Sequence, residues 1–252
     1  MATSTANMNS ERADDRTVQP HAPRLRRAGG FAALYVAAAY LAAIPYFVFL
    51  VDYPSITNVD DKVALLVEHH TSMYLMHLVS FELVALALIV VTLAVYQHLH
   101  EHAPASSQVA CAVGLIRAGL LLASVMVFNH GMSVILDQQA TDPQQAATTW
   151  QVIEAVADAL GGTGGDVLGG VWLLLLSWAA LRARKFPRAL NWLGLTVGTA
   201  ALLSAVPGLS ALEVVAGLLM IVWFLWFGIV TAWPRSATSQ PEPPPATTTA
   251  TG

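Results

Sequence analysis

Two ionisable side chains lie inside long apolar stretches of this sequence, where an isolated charge is costly. Glu82 lies nine residues after Met73, where one stretch begins, and Arg117 lies nine residues after Gln108, where the next begins. If these stretches are antiparallel helices across an apolar layer about 30 Å thick, each group lies about 13.5 Å from its own face, and their depths differ by about 3 Å. The spacing therefore predicts a buried Glu82–Arg117 ion pair, which either holds the two helices in register or takes part in transport.

Four more polar residues, His77, Asn129, His130 and Asp166, fall nearer the outer face of the predicted helices. If the ion pair forms, a helical turn of 100° per residue directs His77 and His130 to one flank of the hairpin but splays them apart. Asp166 ends a glycine-rich segment, which either permits close helix packing or breaks the backbone beside a cavity. We predict a ligand cleft lined by these four residues; the alternative is that hydrogen bonds and interfacial water satisfy them. The splay disfavours haem or metal ligation, so no cofactor is predicted.

Sequence signatures of catalysis are absent. The chain has no HExxH, GxSxG, Walker or dinucleotide-binding motif. Its single cysteine, Cys111, excludes a disulfide framework and a cysteine-based zinc site. An enzyme embedded in a membrane therefore stays an alternative to which no catalytic residue is assigned.

The composition of the 252 residues indicates where such groups must be held. Hydrophobic residues make up 56% of the chain and charged residues 11%, whereas a soluble domain carries about 25% charge. So few charges cannot cover the surface of a water-soluble fold of this size, which excludes an ordinary cytosolic enzyme, a nucleic-acid binder and a disordered protein. The composition predicts an all-α, polytopic transmembrane bundle.

Apolar runs long enough to approach the thickness of a bilayer give about six spans. They lie at Gly30–Val51, Met73–Gln97, Gln108–Leu136, Gly165–Leu181, Ala189–Val206 and Ala211–Trp233. The fourth and fifth runs are short, and the third is long enough to tilt or to project beyond the bilayer. The runs do not alternate apolar and polar residues as the strands of a membrane barrel would, so they predict helices.

Three other segments complete the predicted organisation. Residues 1–23 and the Pro- and Thr-rich tail 236–252 are predicted to be disordered, on either side of a six-helix domain over 24–235. The stretch Pro143–Leu160 has apolar and acidic residues on different sides and is predicted to be an amphipathic helix on the outer surface.

Positively charged residues predict the orientation of the spans. Lys62 falls on one side of the membrane, Arg117 falls inside a span, and the other ten of the 12 Lys and Arg residues fall on the opposite side. Those ten are Arg12, Arg16, Arg24, Arg26, Arg27, Arg182, Arg184, Lys185, Arg188 and Arg235. Both termini are therefore predicted to be cytoplasmic, and the acidic outer side favours cations.

Several short motifs resemble one bacterial membrane family. The segment Phe186–Leu195 is similar to the entry of the fifth helix in that family, Gly114–Ala118 resembles its central Arg-bearing helix, and Trp223–Ile229 is similar to its final helix. Arg27–Gly29 resembles the start of its first helix. The family is the domain of unknown function 4386 family. The resemblance implies six helices in a bacterial inner membrane and implies no activity.

Three functional interpretations remain open from the sequence. The first is a transporter or sensor that responds to a small ligand, a cation or protons through the outer cleft. The second is a non-catalytic membrane subunit or scaffold in which the Glu82–Arg117 pair is purely structural. The third is an embedded enzyme or haem protein. The lipid bilayer is the one partner that the composition requires; nucleic acid is not expected, and the sequence leaves a protein partner or homo-oligomer open.

Overall fold

The computed structural model describes residues 22–161 and 167–233, which are almost entirely helical and contain no strand. The α-helices are α1 Ala22–Ile44, α2 Val59–His77, α3 Leu83–Leu99, α4 Pro104–Gln139, α5 Pro143–Gly161, α6 Val167–Arg182, α7 Arg188–Ser204 and α8 Ala211–Ala232. The tails predicted to be disordered, 1–23 and 236–252, lie outside the described residues except for residues 22 and 23, which begin α1.

Two π-helical segments interrupt the α-helical hydrogen-bonding pattern. Pro45–Leu50 continues α1, and Leu78–Glu82 joins α2 to α3 without a loop. A π turn inserts one residue into a helix and is frequently found at functional sites. These two segments contact each other through the rings of Phe47 and Phe81, whose centroids are 6.0 Å apart.

Four helical rods in the described part are long and apolar enough to cross a membrane. They are Arg24–Leu50, Val59–Leu99, Pro104–Gln139 and Ala211–Ala232, and Val167–Arg182 is a shorter apolar helix. The predicted all-α membrane bundle is confirmed at this level.

The interior of the bundle is a cluster of apolar side chains from six helices, α1, α3, α4, α6, α7 and α8. Helix α1 packs between α8 and α3, α7 packs between α6 and α8, and α4 packs against α3 and α6. The central rings are those of Trp172, Trp223, Phe224 and Phe227, each at most 1% exposed. The ring of Phe31 in α1 meets that of Trp233 after α8 at 5.7 Å, so the described termini share one end of the bundle. We call this end the terminal end and the opposite one the distal end.

At the distal end the observed helices differ from the predicted spans. The sequence placed residues 52–72 in an outer connection and began the second span at Met73, whereas α2 begins at Val59 and runs through the π turn to Leu99. This rod of 41 residues is about 60 Å long, and the 36 residues of α4 measure about 54 Å. Both rods greatly exceed an apolar layer of about 30 Å.

The projecting parts of α2 and α4 form a second, separate apolar core with α5 and the connection after α1. Its fully or largely buried members are Val51, Val63, Leu66, Met73, Met132, Ile135, Ala146 and Trp150. We call α2, residues 128–139 of α4, and α5 the distal module. Asn58 caps α2 by accepting a hydrogen bond from the Asp60 amide at 3.0 Å. Two acidic residues in the first turn of α2 stabilise the helix through its dipole.

Helix α5 packs lengthwise against α4, whereas the sequence predicted an amphipathic helix lying on the outer surface. Its Trp150 is fully buried, the hydroxyl of Ser124 donates to the Ala157 carbonyl at 2.7 Å, and a Cβ atom at Gly161 would lie 3.3 Å from the Leu121 Cα. Helix α5 therefore returns about 27 Å along α4 from its distal end, and α6 continues along the remainder of α4, with Trp172 beside Gly114.

Candidate functional site

A groove opens between α2 and α4 on the distal module. Its volume is about 240 Å³, slightly below the usual range of about 300–1,000 Å³ for small-molecule sites. The lining residues are His70, Thr71, Tyr74, Leu75, Asn129, Met132, Ser133 and Leu136. They recur at intervals of three or four residues along each helix, so one stripe of α2 faces one stripe of α4.

Asn129 has a buried side-chain amide whose hydrogen bonds are not made within the described part of the chain. Its side chain is 6% exposed, and neither Oδ1 nor Nδ2 has a hydrogen-bond partner in the described part of the chain. A buried amide without partners costs about 1–3 kcal/mol relative to a satisfied one. The wall of the groove therefore contains one donor group and one acceptor that are buried and lack a partner in the described part.

The opposite wall is different because its polar groups bond to each other. His70 Nδ1 donates to the Val67 carbonyl at 3.2 Å, and Nε2 is hydrogen-bonded to the hydroxyl of Thr71 at 2.9 Å. Both nitrogens of the ring are thus already hydrogen-bonded within α2. The hydroxyl of Tyr74, which is 46% exposed, has no such internal partner in the described part.

The predicted cleft residues are separated in the structure. Asn129 lines the groove, but His130 is exposed and His77 is buried on another face, at 8% exposure. Asp166 lies outside the described residues. The described contacts therefore do not bring His77 and His130 into one cleft.

Aromatic packing explains the position of His77. Its ring stacks on Phe128 at 4.1 Å with an interplanar angle of 17°, and Phe47 and Phe81 flank it at 5.1 and 5.3 Å. Nδ1 donates to the Met73 carbonyl at 2.9 Å. His77 therefore belongs to the packed junction between the bundle and the distal module, where both π segments meet α4.

The predicted Glu82–Arg117 ion pair does not form. Among the described residues the salt bridge joins Lys62 to Glu154. Glu82 is two residues from both Ser80 and Val84, which are fully buried, so it lies on the opposite side of its rod. The sequence gives Glu82 and Arg117 similar depths along their helices, but depth does not determine the direction in which a side chain points. In the structure the two side chains point in different directions.

Arg117 points instead into the bundle formed by α4, α6 and α8. It is 8% exposed, its Nη2 lies 3.6 Å from Met220 Sδ, and its guanidinium carbon lies 5.7 Å from the ring centroid of Trp172. A cation over an indole ring at this distance is attracted by the π system.

The salt bridge belongs to a polar cluster that the sequence analysis missed. Glu154 Oε1 accepts from Lys62 Nζ at 2.6 Å and from the Tyr53 hydroxyl at 2.7 Å, and that hydroxyl accepts from Trp150 Nε1 at 3.2 Å. Burial, followed by the bond to Glu154, raises the pKa of Tyr53 above its ordinary value, so the hydroxyl keeps its proton. We call these four residues the distal latch, because they tie the connection after α1 to α2 and α5.

No group of three or more His, Cys, Asp or Glu side chains that could hold a metal ion occurs among the described residues. A second depression, of about 530 Å³, runs along α5 alone from Thr148 to Leu160. One face of one helix does not enclose a ligand, and its walls carry few polar atoms, so we do not assign it a ligand.

A family model described as a domain of unknown function, DUF4386, matches residues 31–231. The chain belongs to this family. The DUF4386 match runs from α1 almost to the end of α8, so it includes the distal module, and it confirms the resemblance inferred from the short motifs. Comparison with curated proteins and with solved structures gives no match.

Proposed function

We propose that this DUF4386 protein is a membrane-embedded sensor that binds a small molecule in the groove between α2 and α4. The observation that carries the proposal is Asn129, a buried amide whose donor and acceptor atoms both lack partners in the described part. A buried polar group of this kind calls for an explanation, and a bound ligand supplies one.

The depth of the groove supports access from an aqueous side. Asn129 lies 21 residues beyond Gln108, the predicted start of this span, which corresponds to about 31 Å of helix. That distance reaches the far face of an apolar layer about 30 Å thick. A dissolved molecule therefore meets the groove without crossing lipid.

The junction beneath the groove supports sensing. Phe128 directly precedes Asn129 and stacks on His77, which adjoins the π turn Leu78–Glu82. A ligand that draws α2 and α4 together shifts this stack, and the shift passes directly into α3 and α1 of the bundle. A ligand changes such an equilibrium by as much as its affinity for the two arrangements differs.

A carrier is the second candidate, favoured by the end of α5 at Gly161, part-way along α4. Helix α5 ends at Gly161 beside Leu121, and α6 begins at Val167, so two helices in succession accompany one unbroken α4. In transporters, helices that end inside the membrane frequently form the substrate site. A carrier predicts ligand flux across a sealed vesicle, whereas a sensor predicts binding without flux.

The test uses purified full-length protein in lipid nanodiscs and a collection of small molecules of mixed charge. Compounds that bind the folded state raise the thermal midpoint, by the equivalent of about 2.7 kcal/mol at 100 times the Kd. We expect at least one compound to stabilise the wild type and Gln151→Leu, an exposed α5 control, but not Asn129→Leu. If every stabilising compound acts equally on all three proteins, the proposal is wrong.

A further inference from the structure

We infer that the ligand of the α2–α4 groove is an uncharged molecule whose recognised group holds a hydrogen-bond donor beside an acceptor, as in a carboxamide, a lactam or a urea. This inference rests on the proposed function and specifies its ligand. It replaces the cation expected from the acidic outer side.

The first step is the hydrogen-bonding pattern of Asn129. Its Nδ2 supplies donors and its Oδ1 an acceptor on the same planar group. Both atoms are buried and lack partners among the described residues, and Asn129 as a whole is 6% exposed. A carboxylate satisfies Nδ2 but presents a lone pair to Oδ1. An ammonium group satisfies Oδ1 but presents a proton to Nδ2. A planar amide satisfies both atoms at once.

The second step is charge. None of the eight lining residues is Asp, Glu, Lys or Arg. The histidine among them, His70, has both ring nitrogens hydrogen-bonded within its own helix, to the Val67 carbonyl and to the Thr71 hydroxyl, so neither nitrogen is free to pair with a ligand. A charged ligand loses its hydration here without gaining an opposite charge, and that cost is large.

The third step is shape. Leu75, Met132 and Leu136 line the groove together with the polar residues, so one part of the wall favours an alkyl group. Tyr74 also lines the groove and is 46% exposed, and its hydroxyl is able both to donate and to accept. The volume of about 240 Å³ restricts the ligand to a compact molecule with a short apolar chain.

Three probes of nearly equal shape separate the alternatives: pentanamide, pentanoate and pentylammonium. Binding is measured by saturation-transfer NMR and thermal shift with full-length protein in nanodiscs at pH 8, at concentrations on the order of 1–10 mM, suited to fragments of this size. We expect pentanamide to bind at least about 10-fold more tightly than either ion, as the loss of one buried hydrogen bond requires.

Variants at Asn129 provide the matched comparison. Asn129→Leu should weaken pentanamide binding by at least about 10-fold while leaving the unliganded protein folded, because it removes an unsatisfied amide. Asn129→Asp should lose pentanamide and favour pentylammonium over pentanoate. Gln151→Leu should bind all three probes as the wild type does.

The outcomes distinguish this inference from the proposed function. If pentanoate or pentylammonium binds best and depends on Asn129, or if the compounds that depend on Asn129 include no carboxamide, lactam or urea, the inferred ligand class is wrong and the groove remains a binding site. If pentanamide binds the wild type and Asn129→Leu alike, it partitions into lipid or elsewhere, and the inference is wrong. If no compound of either experiment depends on Asn129, both the inference and the proposed function are wrong.

Discussion

Lys62 is the single basic residue that the charge distribution assigns to the side away from the termini, and the structure uses it in the distal latch. Its Nζ lies 2.6 Å from Glu154 Oε1, and both side chains are 18% exposed. Removing one member leaves the other partly buried and unmatched. We expect Lys62→Met to lower the free energy of unfolding by about 1–3 kcal/mol, measured by thermal unfolding in nanodiscs.

A double-mutant cycle isolates this interaction from general packing effects. The double variant Lys62→Met, Glu154→Leu should be more stable than the sum of the two single losses indicates, with a coupling energy of about 0.5–3 kcal/mol. Glu68→Gln is the matched control, because Glu68 is an exposed acid on the same helix, and it should change stability by less than about 0.5 kcal/mol. Additive losses in the cycle would contradict the pairing.

At the scale of the elements, hydropathy predicted the apolar rods but not where they end. An apolar run of about 20 residues marks what the bilayer requires, and the helix then continues wherever polar residues are still helix-compatible. The first 14 residues of α2, Val59–Ser72, include three acids and two histidines, so a hydropathy threshold excludes them. The α2 wall of the groove therefore could not be predicted from hydropathy, and of the eight lining residues only Asn129 was predicted from the sequence.

The direction in which each side chain points from its helix was the second property that the sequence could not predict. Depth along a helix follows from residue counts, but the rotation of a rod depends on its neighbours, and the π turn Leu78–Glu82 changes the rotation within the rod itself. The Glu82–Arg117 pair was derived from depth alone. The burial of His77 in aromatic rings depends on Phe47 and Phe128, which are 30 and 51 residues away along the chain.

Close contact between α1 and α8 depends on a small residue at Gly30. A Cβ atom there would lie 2.5 Å from the Ala232 nitrogen and 2.9 Å from its Cα, and a backbone cannot yield as a flexible side chain does. We expect Gly30→Ala to destabilise the protein by about 1–3 kcal/mol. Thermal unfolding of the purified variant in nanodiscs measures the effect.

Gly119 offers the control for that substitution. It is also a glycine within a helix, but a Cβ atom there meets nothing within 4 Å. Because alanine favours a helix over glycine by about 1 kcal/mol, Gly119→Ala should leave stability unchanged or raise it slightly. Equal effects of the two substitutions would show that the α1–α8 contact does not require a small residue.

At the scale of the whole molecule, the charge distribution predicts which side of the membrane holds the distal module. Ten basic residues accompany the terminal end in the sequence, and Lys62, the one on the other side, is neutralised by Glu154. Exposed acids dominate the distal surface; they include Asp60, Asp61, Glu68, Asp137 and Asp142. Since basic residues are retained in the cytoplasm during insertion, we predict cytoplasmic termini and a distal module outside.

Cysteine labelling on intact cells tests this topology. In a Cys111→Ala background, Glu68→Cys on α2 should react with a membrane-impermeant maleimide. Ser236→Cys, next to Arg235 on the side predicted to be cytoplasmic, should react only after the cells are opened. A reporter that is active only outside the cell, fused after the C-terminus, should correspondingly stay silent. The opposite labelling pattern would place the groove in the cytoplasm, so its ligand would be a molecule of the cell interior. The proposed sensing direction thus depends on this one measurement, while the groove and its unpartnered amide do not.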